Sequence, residues 1–266
     1  MKGAARTPDT AFWVDRANVD GTRLRLSDSE SRHLLRVFRA APGTPFEAVD
    51  GEGTLYRCVL ETASGGIAVG TIESRAVEAG ELGAAITLLA GLPDLQQIET
   101  IVSLAVPLGV TAIDFVATGH SGREPLPEAR LQRLARIARS ALKQSRRTRL
   151  PALRSSPGLE EALQEIPVET FRLFAEPGGE PLRAEVVETM LQISQPHAVL
   201  AVGPPGGFLR EEGELLTMRS FRPISLGPSR LTTSTACLAL LGATRNLMLT
   251  AGLGRVDKTG LSGYLQ

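Results

Sequence analysis

The chain has 266 residues, 42% hydrophobic and 22% charged, which is the make-up of a folded protein with room for one large domain or two smaller ones. Its 29 basic and 29 acidic residues cancel, no apolar run approaches the roughly 18 residues of a membrane span, and "MKGAARTPDT" has no apolar signal core, so neither a membrane partner nor secretion is expected. Two distant cysteines (Cys58, Cys237), three histidines (His33, His120, His197) and the lack of HExxH or CxxC argue against a bound metal and fit a reducing, cytoplasmic setting.

The first 77 residues read as a small β-rich domain. "SDSESRHLLRVFRA" opens it as a helix capped by Ser27 or Asp28, with Leu34, Leu35, Val37 and Phe38 apolar. "TPFEAVD", "TLYRCVLETA" and "GIAVGTIES" are strand-like runs separated by the turn residues "PGT", "DGEG" and "SGG". Short strands at close spacing predict a small barrel or sandwich. "EAGELGA", residues 78–84, reads as a linker.

From there strands and helices alternate. Strands are expected at 84–90, 111–117, 170–175 and 197–203, and helices at 94–106, 126–147, 210–220 and 233–249. That alternation predicts a mostly parallel sheet covered on both faces, over residues 78–250. The glycine-rich end, residues 251–266, reads as a flexible tail.

The helix at 126–147 is amphipathic. Leu131, Leu134, Ala138, Ala141 and Leu142 share one arc, and Arg133, Arg136, Arg139, Lys143, Arg146 and Arg147 the other. Residues 123–154 hold ten basic residues against two acids, Glu124 and Glu128. Two readings stand: a solvated polar face, or a surface for a polyanion, where arginine forks suit phosphate. "SRHLLRVFR" adds Arg32, Arg36 and Arg39 beside His33.

The stretch "LAVGPPGGFLREE" (200–212) ends a buried strand in two prolines and three glycines. Glycine admits a ligand to the main chain, proline stiffens the turn, and strand carboxyl ends are where open α/β sheets bind ligands. "ISLGPSRLTTSTACLALLGA" (224–243) repeats the plan: strand, Gly-Pro turn, Ser/Thr run, helix. Each is either a plain connection with helix caps or one wall of a shared pocket. No GxxxxGK[ST] or GxGxxG is present.

The order of these pieces resembles the RsmE family of ribosomal RNA methyltransferases in the SPOUT superfamily. "HLLRVFRAAPGTPFEAVDGEGTLYRC" is similar to HLxxVLR…GD…DGxG, and "LGVTAIDFVATGHS" to ELGVxxIxPxxTxxS. "ALKQSRRTRLP" is similar to AxxQSxRxxxP, "AVGPPGGFLREE" to GPEGGFxxxE, and "LGPSRLTTSTA" to LGxRILRxETA. The resemblance implies a PUA-like RNA-binding β-barrel at 1–77. It implies a SPOUT α/β methyltransferase domain with a trefoil knot at 78–250. It further implies S-adenosylmethionine held by Gly203, Pro204, Gly206, Gly207, Leu226, Gly227, Leu231 and Thr235, with no metal. The partners implied are the small ribosomal subunit's RNA and a second copy of the chain, and the reaction is methyl transfer to N3 of a uridine. RNA would meet His33, Arg36, Arg39, Arg139, Lys143, Arg146 and Arg147. Arg147 and Ser234 are the candidate catalytic residues, and a side chain at Gly206 is expected to enter the ligand's space.

The chain departs from these patterns where charge would sit. Pro205 replaces glutamate, Thr232 arginine, Ser234 glutamate, Pro107 the glutamate of ELGV, and Leu104 a usual lysine. Three readings follow: an active uridine N3 methyltransferase, a relative that binds RNA without transferring a methyl group, or a methyltransferase for another RNA.

Overall fold

The computed structural model describes residues 8–183 and 196–253, which form two compact units. The first takes residues 8–81 and Arg139–Leu150; the second takes Leu82–Ala138 and the described residues from Pro151 onward. The expected boundary at 77/78 therefore moves to 81/82, and the first unit is not contiguous. The linker reading of 78–84 fails for a physical reason: Glu78 and Glu81 pair with Arg149 and Arg147 inside the first unit. The tail expected at 251–266 lies outside the described residues from 254 on.

The first unit is a curled six-stranded sheet. Its strands are β1 (Phe12–Trp13), β2 (Val19–Asp20), β3 (Arg23–Arg25), β4 (Pro45–Val49), β5 (Thr54–Thr62) and β6 (Val69–Val77), in the order β1-β4-β5-β6-β3-β2. Register shifts at Arg57/Cys58 and Leu60/Thr62 interrupt the β5–β6 ladder, and such bulges bend and twist a sheet. Leu24, Leu26, Leu34, Phe46, Tyr56 and Leu60 fill the inside, with the Phe12 ring edge-on to Phe38 and Phe46. The "DGEG" turn is set by Asp50, whose carboxylate accepts the Glu52 and Thr54 N–H groups and the Tyr56 hydroxyl. The expected first helix exists in two parts. Helix α1 (Asp28–Arg32), capped by Ser27, passes into a π-helical turn at His33–Val37.

The second unit carries an all-parallel sheet of β7 (Ala85–Gly91), β8 (Ala112–Val116), β9 (Ala152–Ser156), β10 (Phe171–Pro181), β11 (His197–Val202) and β12 (Arg222–Ser225). Their order is β12-β10-β11-β7-β8-β9. The central strand β11 is buried from Ala198 to Val202, as a strand covered on both faces must be. Helices α4 (Leu159–Gln164) and α5 (Arg210–Met218) pack Leu159, Leu163 and Leu216 against Leu89, Phe174 and Val199. Helix α2 (Leu95–Ala105) lies against α6 (Thr233–Thr250), which also meets β7 and β11. Helix α3 (Glu128–Ser145) starts in this unit, where Leu134 and Ala138 are buried and Leu131 half-buried, and its last turns, with buried Ala141 and Leu142, belong to the first unit. Among the described residues no helix is long and apolar enough to cross a membrane, and no cluster of ligating side chains could hold a metal.

Candidate functional site

A cavity of about 760 Å³ opens where β11 and β12 end on either side of β10, within the roughly 300–1,000 Å³ of small-molecule sites. Its walls come from the carboxyl ends of β12 and β11 and from an irregular middle stretch of β10. They are residues 226–233 after β12, Ala175–Pro177 within β10, and Val202–Phe208 after β11, joined by Gln97 and Ala236. The β10 wall exists because its register with β12 jumps between Ala175 and Glu180, which pushes the intervening residues out of the ladder.

The Gly-Pro turn is shaped by backbone demands. Gly206 and Gly207 take φ +107° and +79°, and the Gly207 N–H donates to the Pro204 carbonyl at 2.8 Å. A Cβ on Gly203 would lie 2.7 Å from the Gly207 carbonyl carbon, so the loop folds back on itself too tightly for a side chain. Gly207 and Gly227 both have left-handed backbone and open space where a Cβ would sit, and both line the cavity. Thr232 caps α6 by accepting the Thr235 N–H, and the Thr233 hydroxyl donates to the Gly203 carbonyl at 3.2 Å, tying the two Gly-Pro loops together.

Gly203, Pro204, Gly206, Gly207, Leu226, Gly227 and Leu231 line this cavity. Thr235 is not among the lining residues, because its amide and hydroxyl serve the cap. Ser234 also turns elsewhere: its N–H and Oγ meet the Gln97 side-chain oxygen at 3.2 and 3.4 Å. The expectation for Gly206 is corrected, since a Cβ there would point at the His120 ring, 3.4 Å away.

Arg147 is a second correction. Its side chain is 2% exposed in the first unit, and its Nε and Nη2 donate to one oxygen of Glu81 at 3.1 and 2.6 Å. The other Glu81 oxygen accepts the Thr148 and Arg149 N–H groups. A guanidinium committed to a buried carboxylate is structural, so the catalytic and RNA-binding roles expected for it fall away.

The basic surface is correspondingly smaller than its sequence suggests. Lys143 pairs with Glu30 at 2.6 Å, Arg146 with Glu47 at 3.2 Å, Arg133 with Glu99 at 2.8 Å and Arg149 with Glu78 at 2.5 Å. These acids lie far away in the chain, so counting charge along residues 123–154 overstates the surface charge. Arg36 and Arg39 are exposed, and Arg139 lies over the Trp13 ring, 4.1 Å from its centre. His33 packs between the Phe12 and Phe38 rings.

Sequence reasoning missed Gln97 and Glu176, which line the cavity from segments without a local signature, and passed over Arg230 within the Gly-Pro stretch at 224–243. Gln97 also holds Asp94: its side-chain amide, then its backbone N–H, keep that carboxyl below the usual range. Glu212 was visible through its place in the turn pattern. One of its oxygens accepts the Leu209 N–H at 2.7 Å and the other the Gly119 N–H at 2.8 Å.

Two family models match the chain, an RNA methyltransferase domain over residues 81–245 and an RNA methyltransferase PUA domain over residues 26–73. A ribosomal RNA small subunit methyltransferase E from Mycobacterium bovis is 30% identical over 87% of this chain and 89% of its own. One of the same name from Synechocystis is 30% identical over 82% and 72%. The crystal structure of a ribosomal RNA small subunit methyltransferase E from Neisseria gonorrhoeae bound to S-adenosyl methionine is similar at TM-score 0.75 and 27% identity, covering 90% of this chain and 97% of that one.

Proposed function

The chain belongs to the RNA methyltransferase family, among the ribosomal RNA small subunit methyltransferase E proteins, and from that premise we propose that it methylates N3 of a uridine in small-subunit ribosomal RNA with S-adenosylmethionine as donor. The observation that carries the reading is the glycine cradle. Gly207 and Gly227 leave open space where side chains would stand, at the carboxyl ends of parallel strands, in a cavity sized for a nucleoside ligand.

The donor set fits that cofactor. Main-chain groups of residues 203–208 and 226–231 would hold it, as in sites where glycine lets a ligand reach the backbone. Arg230, a charged side chain among the described lining residues, suits the carboxylate of such a ligand. When bound, S-adenosylmethionine supplies an activated methyl group. Uridine N3 carries a proton that must leave, and Glu176 is the carboxylate among the described lining residues able to accept it. Ser234, engaged by Gln97, we assign to positioning α6.

In the first unit, His33, Arg36, Arg39 and Arg139 would meet RNA backbone. The trefoil knot is carried over from the family to which the chain belongs. A homodimer and a cytoplasmic setting complete the reading.

A second reading, binding without methyl transfer, is favoured by Pro205 and Thr232, which leave uncharged side chains in the lining. Transfer of labelled methyl groups to small ribosomal subunits lacking the uridine modification separates the two. Label at a uridine N3 is the expected result. No label, beside a working relative in the parallel reaction, would refute the proposed activity.

A further inference from the structure

The loop after β8, residues 117–122, lends no residue to the cavity lining, yet it is fastened to the turn that does. The Gly119 N–H donates to the Glu212 carboxylate that also holds Leu209, and Gly119 packs so closely on Leu209 that a Cβ there would collide with it. His120 makes the third attachment: its Nδ1 lies 3.1 Å from the Gly207 carbonyl oxygen. A carbonyl oxygen only accepts, so Nδ1 carries the hydrogen. The same ring covers the face of Gly206 on which a Cβ would stand.

The turn needs such support. Gly206 and Gly207 have no side chains to pack, and glycine loses more conformational freedom on ordering than any other residue. From inside, the Gly207 N–H is held by Pro204; from outside, the Gly207 carbonyl is held by His120. We propose that His120 is a positioning residue: its Nδ1–H clamps the Gly207 carbonyl, keeps the Gly206–Gly207 turn in its cavity-lining shape, and so sets the affinity for the cofactor. The last step rests on the S-adenosylmethionine reading given above.

Three variants test it. His120→Asn keeps an N–H donor near the position of Nδ1, His120→Gln moves it to the position of Nε2, and His120→Ala removes it. His120 is exposed, so all three are expected to melt like the parent. Amide exchange of Gly206, Gly207 and Phe208 is read in the free protein, and S-adenosylmethionine affinity by calorimetry. Alanine and glutamine should each speed exchange and weaken binding by about fivefold, raising KM for the cofactor with kcat unchanged, while asparagine restores both. Unchanged exchange in the alanine variant would overturn the proposal. So would an asparagine variant as defective as alanine, or a kcat loss at unaltered cofactor affinity. A parent protein that gives no heat with S-adenosylmethionine would refute the cofactor reading, and the affinity claim with it, on its own curve; the exchange data still decide the clamp.

Discussion

Glu81 and Arg147 stand 66 positions apart and form a buried ion pair, with Oε2 and Nη2 2.6 Å apart and side chains 4% and 2% exposed. Glu81 also accepts two consecutive backbone N–H groups, from Thr148 and Arg149. Removing one member of such a pair strands the other charge away from water. Glu81→Ala should lower stability by about 3–5 kcal/mol, whereas Glu81→Leu combined with Arg147→Met should cost clearly less. Urea unfolding of the three proteins checks this; equal losses would mean the charges are not what matters.

Gly203 sets the fold of the Gly-Pro turn that lines the cavity. An added Cβ would meet the backbone of Gly207 and Phe208 at 2.7–2.9 Å, and backbone cannot swing aside as a long side chain can. Gly203→Ala should force the turn open and weaken S-adenosylmethionine binding at least about tenfold, or about 1.4 kcal/mol. Calorimetry measures it directly. Gly213→Ala, at a helical glycine with open space around it, serves as the control that should bind normally.

Arg36 and Arg39 are exposed, while Lys143 and Arg146 are held by Glu30 and Glu47. Replacing Arg36 and Arg39 with alanine should flatten the dependence of RNA affinity on salt by about one unit of log–log slope per arginine. Replacing Arg133, already paired with Glu99, should change the slope far less. Filter binding at several salt concentrations distinguishes the two sets.

His197 begins β11, where burial lowers its affinity for a proton and its Nε2 lies 2.9 Å from the Thr87 hydroxyl. A histidine with a depressed folded-state pKa binds fewer protons folded than unfolded. Its contribution to stability is therefore complete above the ordinary value of about 6.5 and is lost as pH falls through the lower folded-state value. His197→Gln should make the fall in melting temperature between about pH 7 and pH 5 shallower. An equally steep fall in both proteins would assign the acid sensitivity to other groups.

The second unit was largely legible in the chain because its strands are continuous apolar runs and its helices keep a regular apolar stripe. The strands expected at 84–90, 111–117 and 197–203 correspond to β7, β8 and β11, and the helix expected at 94–106 is α2, capped by Asp94. Strand β9 and helix α4 escaped notice: β9, "ALRSS", is half polar, and α4 has only six residues. The π-helical turn at 33–37 also has no periodic signature, since its apolar residues fit an α-helix equally well.

Apolar periodicity and glycine–proline punctuation were enough to place most strands and helices of the parallel sheet and the loops that carry the cavity, because those features act locally along the chain. Only the tertiary structure decided which charges are free and which residues meet. Glu81 claims Arg147, Glu30 claims Lys143, Gln97 claims Ser234, and His120 reaches Gly207 from a loop 87 positions away. Each of these pairings depends on distance in space, and an ion pair or hydrogen bond of about 3 Å leaves no mark on the spacing of residues in a sequence.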